Sequence, residues 1–234
     1  MASLGHSIVD ALQVIDAFIG PDLGARVADL EWKVKGCNGD GCRAKSEEAG
    51  VTGTLLTAAY SVKRAAGQIH VVIHVVGCLL LLPRIMELGE KIEYVSLGAG
   101  NTGKDFDLAT DRRIAEFKFI HWRGGPETMR KKALFKDFYR LAEEPTDRRK
   151  ELYVLGTSHA LRFLRSSSAL ESVMSRNVAL LEDFREKFGN KFSMVADYYA
   201  AREHVVNLID ASPLVPELVR AVSVEVAEEE QAEL

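Results

Sequence analysis

The chain has 234 residues, of which 47% are hydrophobic, 27% are charged and 8% are aromatic. This composition excludes a fibrous protein and disorder along the whole chain, and a chain of this length buries enough surface to fold without disulfides. The 30 Lys and Arg against 34 Asp and Glu leave a net charge of −4, which excludes binding to nucleic acid through overall basic charge but not through a local basic face. Three cysteines and an N-terminus without the features of a secretory leader predict an intracellular, cytoplasmic protein.

The first fifty residues predict a helix followed by a loop. A helix is expected over residues 7–19, because Ser7 is a suitable N-cap and Gly20-Pro21 ends the pattern. Residues 36–50 are rich in Gly, Cys, Asn, Asp, Lys and Glu, and this composition predicts a loop. A structural zinc site is not expected there, because the two cysteines of the loop lack a second pair of ligands.

A long apolar helix is expected over residues 52–87, with Pro83 as a candidate kink. Its longest apolar stretch, Ile69–Leu82, is shorter than the roughly 20 residues that a membrane-spanning helix needs. We therefore interpret this stretch as a buried core helix and expect no membrane partner. His70 and His74 share a face of that helix, and we interpret them as core histidines with satisfied hydrogen bonds.

Strand patterns replace helical ones after residue 90. Lys91–Leu97 alternates polar and apolar residues with period two, which predicts a strand. Phe106–Ala109 and Ile114–Ile120 predict two further strands joined by a short polar turn. A helix with one apolar face is expected to begin near Pro126, and Glu151–Gly156 predicts another strand.

The order from residue 52 to residue 156 is therefore helix, three strands, helix and strand, which predicts the α/β class. We expect three segments: an N-terminal helical and loop segment at 1–51, the α/β core at 52–156, and a C-terminal helical extension at 157–234. The extension is expected to be helical over 169–220 and to end in a solvated acidic tail.

Two carboxylates and a lysine fall together on the predicted strand pair. Glu116 and Lys118 lie two residues apart on one strand, so their side chains point to the same face. A hairpin between Asp107 and Glu116 brings the two carboxylates side by side, where they repel each other unless a proton or a divalent cation lies between them. Mg²⁺ prefers sites with one or two carboxylates, and the carbonyl oxygen of Phe117 is a further candidate ligand. Lys118 is then placed to orient or deprotonate a water and to stabilise negative charge during metal-assisted phosphodiester hydrolysis.

This motif and its context resemble the PD-(D/E)xK nuclease superfamily. The resemblance rests on Asp107, an eight-residue gap and Glu116-Phe117-Lys118, set within the predicted helix and strand order at 52–156. It implies a restriction endonuclease-like core, metal binding by Asp107 and Glu116, a catalytic Lys118, and dependence on Mg²⁺ with Mn²⁺ as a substitute. The chain departs from the family pattern at Phe106, where proline is usual, and it has no clear acidic metal ligand on the first helix between Ala58 and Leu82.

Two other segments carry competing motifs. Pro21-Asp22 precedes Glu31-Trp32-Lys33 by the same eight-residue gap, but a single helix precedes it and a Gly- and Cys-rich loop follows it, so the context favours the later copy. Gly98–Gly103 matches the GxGxxG dinucleotide fingerprint after a strand. The fingerprint requires a helix at its last glycine, and no helical pattern follows, so we interpret these residues as a connector beside the substrate groove.

The helix after the hairpin carries Lys132, Lys136 and Arg140 in four-residue steps, opposite its apolar face. Residues 111–150 hold 12 basic and 7 acidic residues, a local charge of +5. Such a patch attracts a polyanion, although a solvated helix face has the same pattern. We take these three side chains and Arg123 as candidate substrate-binding residues.

The sequence thus predicts a metal-dependent nuclease that hydrolyses phosphodiester bonds of nucleic acid, with DNA favoured over RNA and a homodimer as one assembly that suits cutting of both strands. The alternative is a catalytically inactive relative that uses the same fold for binding or assembly, which the missing helix-borne acid and the acidic net charge favour. A nucleotide-binding enzyme that uses the Gly98 loop is a third hypothesis.

Overall fold

The computed structural model describes residues 7–98, 104–119 and 128–219. The chain divides into two compact units, Met1–His70 and Val71–Leu234. Helix α4 (Gly53–Ile85) contains the point of division and runs without interruption through Pro83, which lies in its last turn.

The first unit contains three short helices and the first half of α4. Helix α1 (Ile8–Ile19) begins at the predicted cap, where the Ser7 side chain accepts a hydrogen bond from the Asp10 backbone N–H, and it ends at Gly20. Helix α2 (Leu23–Val34) follows at once. The predicted helix over residues 7–19 is therefore confirmed.

The predicted loop over residues 36–50 is wrong, because helix α3 (Gly39–Glu48) occupies most of it. The Asn38 side chain accepts a hydrogen bond of 2.9 Å from the Gly41 backbone N–H. This cap satisfies one of the free N–H groups at the start of the helix. Helix α3 forms despite two glycines, so the loop-like composition gives the wrong prediction here.

The second unit is built on a five-stranded mixed sheet, and the α/β class is confirmed. Its strands lie side by side in chain order. The first three are antiparallel neighbours, and the last three are parallel neighbours. The strands are β1 (Ile92–Val95), β2 (Leu108–Thr110), β3 (Arg113–Lys118), β4 (Arg149–Val154) and β5 (Asn207–Asp210).

Helices cover both faces of this sheet, and β3 shows how its residues divide between them. Ile114 joins a core cluster with the helices that follow β3, whereas Ala115 and Phe117 join a second cluster with the end of α4. Glu116 and Lys118 share the face of Ile114, because alternate residues of a strand point the same way. The later helices are α5 (Thr128–Glu143), α6 (Thr157–Leu164), α7 (Leu170–Met174), α8 (Val178–Phe188) and α9 (Val195–Arg202).

The structure corrects two expectations, one about residues 169–220 and one about residues 69–82. The stretch 169–220 is not helical throughout, because β5 lies within it and pairs with β4 along four residues. The stretch Ile69–Leu82 is not buried on all sides: Cys78 and Leu81 are fully buried, but Val72 is 58% exposed. Helix α4 is also long and apolar enough to cross a membrane, a test that the core helix of a soluble protein passes as well.

A balanced ionic cluster lies at the start of β3. The guanidinium of Arg113 donates to Glu90 at 2.7 Å and to Glu151 at 2.9 Å, and all three side chains are buried. Arg112 and Arg149 both pair with Glu87 beside it. Buried charges are stable when each has a close partner of opposite sign, so this cluster holds the start of the strand in place.

Candidate active site

Asp107, Glu116 and Lys118 meet at one end of the sheet, as the spacing predicted. Strand β2 pairs with β3 so that Leu108 lies opposite Ala115, and extending this register by one residue places Asp107 opposite Glu116. The Asp107 carboxylate accepts a hydrogen bond of 2.9 Å from the Phe117 backbone N–H. The hairpin therefore fixes the two carboxylates on neighbouring strands.

The carbonyl oxygen of Phe117 faces the same side. In an antiparallel ladder the N–H and C=O groups of one residue point to the same neighbouring strand. Because the N–H of Phe117 reaches Asp107, its carbonyl also points toward the end of β2. The predicted third ligand, this carbonyl, thus lies on the edge of β3 that faces Asp107.

A third carboxylate, which the motif did not identify, completes the cluster. The Nζ atom of Lys118 lies 2.7 Å from an oxygen of Asp137 on α5 and 3.4 Å from an oxygen of Glu116. One signal in the sequence pointed to it: Asp137 interrupts the apolar face of α5, between Leu134 and Leu141, and it is buried like the hydrophobic residues around it.

Among the described residues, the cluster carries more negative than positive charge. With every carboxyl ionised, Asp107, Glu116 and Asp137 against Lys118 give a formal charge of −2. The side chains of Glu116 and Asp137 are 7% and 9% exposed. Burial, together with the nearby Asp137 carboxylate, raises the pKa of Glu116 well above its usual range. Burial opposes the charge of Lys118, but the carboxylates prevail and raise its pKa, so this side chain is an ammonium at neutral pH.

His74 on α4 also lies close to the site. It does not take the place of the acidic metal ligand that the family pattern has on the first helix, at least through Nε2, its ring nitrogen nearest to Asp107. Its Nε2 atom lies 3.1 Å from the Ser96 carbonyl oxygen and 3.8 Å from an oxygen of Asp107. A carbonyl oxygen only accepts, so this hydrogen bond requires a proton on Nε2, and a protonated nitrogen has no lone pair for a metal. The expectation of two core histidines is wrong for His70, which is exposed, whereas His74 is partly buried and hydrogen-bonded.

The residues that could hold a Mg²⁺ ion at this site are two carboxylates and one carbonyl. Within residues 7–98, 104–119 and 128–219, no group of three or more His, Cys, Asp or Glu side chains has the arrangement of a metal site. Mg²⁺ commonly uses one or two carboxylates and keeps several waters. Asp107, Glu116 and the Phe117 carbonyl supply such a set, and a divalent cation would neutralise the excess negative charge.

The two competing motifs lack the structure that their chemistry requires. Glu31-Trp32-Lys33 lies on helix α2, where Lys33 pairs with Asp29 one turn away, so no strand presents the motif. Of the Gly98 loop, residues 99–103 lie outside the described part of the chain. The residues that follow it, 104–107, are not helical and lead directly into β2, so the dinucleotide fingerprint lacks its helix.

The candidate substrate-binding residues do not share one environment. Lys132 donates to the Ser175 hydroxyl on α7, and Arg140 pairs at 3.3 Å with Asp105, two residues before Asp107. Lys136 and Arg140 also line a cavity of about 500 Å³ between α5 and α8. Arg123 lies outside the described residues.

Part of the basic excess of residues 111–150 lies away from this site. Arg148 pairs with Glu93, and Arg149 pairs with Glu87, at the opposite end of the sheet. The Nζ atom of Lys150 donates to two carbonyl oxygens at the end of α5. Among the described residues, the basic charge near the candidate site therefore comes mainly from α5 itself.

Comparisons with protein-family models, with curated proteins and with solved structures find no match to this chain.

Proposed function

We propose that this chain is a metal-dependent nuclease with a restriction endonuclease-like core of the PD-(D/E)xK type. Two features support the proposal: the order of one helix, three strands, one helix and one strand across α4 to β4, and the meeting of Asp107, Glu116 and Lys118 at one end of that sheet. The observation that carries it is the excess of carboxylates over cations at this point among the described residues, which a divalent ion would balance.

Each residue of the site has a role in this proposal. Asp107, Glu116 and the Phe117 carbonyl would hold Mg²⁺, or Mn²⁺ in its place. When bound, the ion supplies Lewis-acid chemistry and lowers the pKa of a coordinated water. Because Lys118 is an ammonium, we assign it to orienting the attacking water and stabilising negative charge on the phosphate, rather than to removing a proton.

The substrate that suits this surface is a polyanion. Lys132, Lys136 and Arg140 repeat every four residues on α5, and Arg140 pairs with Asp105, two residues before Asp107. A phosphate backbone bound at Arg140 would therefore lie near the start of β2, where Asp107 is located. We propose nucleic acid, with DNA favoured over RNA, as the substrate.

Cleavage of labelled single- and double-stranded DNA and RNA tests this proposal. Each substrate is incubated with Mg²⁺, with Mn²⁺ and with EDTA, using the wild-type chain, Glu116→Gln and Glu31→Gln. The last variant is a matched control, because Glu31 occupies a Glu-x-Lys sequence on the exposed surface of α2. We expect metal-dependent cutting by the wild type and the control but not by Glu116→Gln. Equal cutting by all three chains would refute the site assignment.

The second candidate is a relative of the same fold that binds or assembles without catalysis. It is favoured by one observation: the ammonium of Lys118 is already paired with Asp137 at 2.7 Å. A titration with Mn²⁺ followed by electron paramagnetic resonance separates the two candidates. Binding of Mn²⁺ with a Kd below the millimolar range supports the nuclease if Glu116→Gln abolishes that binding. Absence of binding, together with absence of cutting, supports the non-catalytic candidate.

A further inference from the structure

Asp137 is a carboxylate in a position that otherwise belongs to the hydrophobic core. Its neighbours along α5 include Leu134, Phe138 and Leu141, all of them buried, and its own side chain is 9% exposed. An ionised carboxylate removed from water is costly unless a cation and hydrogen bonds compensate it. Within the described residues, the cation that approaches Asp137 is Lys118.

The two carboxylates beside Lys118 hold its ammonium at unequal distances. The Nζ atom is 2.7 Å from Asp137 but 3.4 Å from Glu116. A lysine side chain has four rotatable bonds, so its charged end lies where its closest partner holds it. The ammonium therefore lies closer to Asp137, although it also remains within hydrogen-bonding distance of Glu116.

We propose that Asp137 is a positioning residue that acts through Lys118, an inference that rests on the proposed nuclease function. By holding the ammonium on the α5 side of the site, Asp137 keeps the Glu116 carboxylate available for a metal ion. Without that contact, Glu116 is the remaining carboxylate within 4 Å of the lysine among the described residues. The ammonium would then pair fully with Glu116 and leave the place where it faces a phosphate.

The test compares cleavage by the full chain carrying Asp137→Asn, Asp137→Glu, Lys118→Met or both Asp137→Asn and Lys118→Met. Asp137→Asn keeps the size of the side chain and removes its charge. We expect it to lower kcat by about 10–100-fold, the usual cost of losing a residue that orients another, with KM for the nucleic acid unchanged. Asp137→Glu restores most of the loss. In the Lys118→Met background, Asp137→Asn causes no further loss, because its effect passes through Lys118.

The matched control is Glu151→Gln. Glu151 is also a buried carboxylate paired with a cation, at 2.9 Å from Arg113, but it lies toward the other end of the sheet. We expect this variant to lower the unfolding temperature while kcat stays at the wild-type value. The pair of variants thus separates loss of a buried ion pair from loss of the position of Lys118.

Mn²⁺ binding to each metal-free variant, measured without substrate, provides a readout that does not depend on cleavage. We expect weaker binding for Asp137→Asn only.

The outcomes distinguish this inference from the function on which it rests. If the wild-type chain cuts none of the substrates, the proposed function fails and the inference fails with it. If the wild-type chain cuts and Asp137→Asn keeps its kcat, the positioning role alone is overturned. The positioning role is also overturned if the fold-losses in kcat of Asp137→Asn and Lys118→Met multiply in the double variant. Should Asp137→Asn fail to fold, Asp137→Leu provides the test, because it also removes the charge and suits the apolar surroundings of this position: an unchanged kcat contradicts the proposal.

Discussion

Neutralising Glu116 should stabilise the metal-free protein and at the same time abolish its response to Mg²⁺. The Glu116 carboxylate is buried next to Asp137 and opposite Asp107, and its pKa is raised by that burial and by those neighbouring charges. The folded chain therefore holds a proton on Glu116 that the unfolded chain releases. Glu116→Gln removes this unfavourable group without changing its size.

The size of the effect follows from the linkage between proton binding and folding. The ordinary pKa of the carboxyl is 4.5, and the folded value is raised. Between the two values the native state binds one more proton than the unfolded state. The free energy of unfolding then falls by about 1.4 kcal/mol for each pH unit as the pH rises. From pH 5.5 to pH 7.5 the wild-type chain should lose about 3 kcal/mol relative to Glu116→Gln.

Urea denaturation in EDTA at pH 5.5, 6.5 and 7.5, followed by circular dichroism, measures this difference. Comparing Glu116→Gln with the wild type at each pH cancels the other titrating groups, and Glu31→Gln serves as the exposed control. Adding Mg²⁺ at pH 7.5 should stabilise the wild type and the control, because a ligand that binds only the folded state raises its stability. Parallel pH profiles for the wild type and Glu116→Gln would refute the reasoning, and so would equal stabilisation of both by Mg²⁺.

Two further predictions concern packing and thiol chemistry on α4. Gly77→Ala places its new carbon 2.6 Å from the ring of Phe119, so it should destabilise the chain by about 1–3 kcal/mol in urea. The new methyl carbon of Gly67→Ala has no neighbour within 4 Å, so this variant should instead raise the free energy of unfolding by up to about 1 kcal/mol. Equal effects of the two variants would contradict the close contact at Gly77. Burial raises the pKa of Cys78 to about 12, so at pH 8 a thiol reagent should modify the exposed Cys37 and reach Cys78 only after denaturant is added.

The meeting of the three motif residues followed from short-range rules. A turn of few residues joins β2 to β3, and such a turn fixes which residues lie opposite each other. Asp107 and Glu116 are then neighbours, and Lys118 shares the face of Glu116 because of the two-residue period of a strand. The expected order of elements from residue 52 to residue 156 was also confirmed.

Contacts between distant elements were not predictable in the same way. Asp137 meets Lys118 only because α5 packs on the face of β3 that carries the lysine, and His74 meets Asp107 only because α4 crosses the other side. Helix α3 was missed because its Gly, Asn and Asp residues indicated a loop, whereas Asn38 caps a helix that contains Gly39 and Gly41. Strand β5 was missed because its four residues form a strand through pairing with β4, not through an alternating pattern of their own.

The two ends of β3 show why the candidate site differs from a structural ion cluster. Both ends carry buried charges contributed by several elements. At the start of the strand three arginines face three glutamates, so the charges balance and the cluster is satisfied within the protein: Arg112, Arg113 and Arg149 with Glu87, Glu90 and Glu151. At the other end, where the structure describes the chain up to Phe119 and again from Thr128, one lysine faces three carboxylates. A fold under selection for stability alone has no reason to leave that imbalance, since Gln or Asn fits the same space without the repulsion. In the metal-free chain a proton on Glu116 relieves part of this imbalance, and in the proposed function a divalent cation takes its place. The proposed metal-dependent activity would therefore lie at this end of β3 rather than at the balanced end.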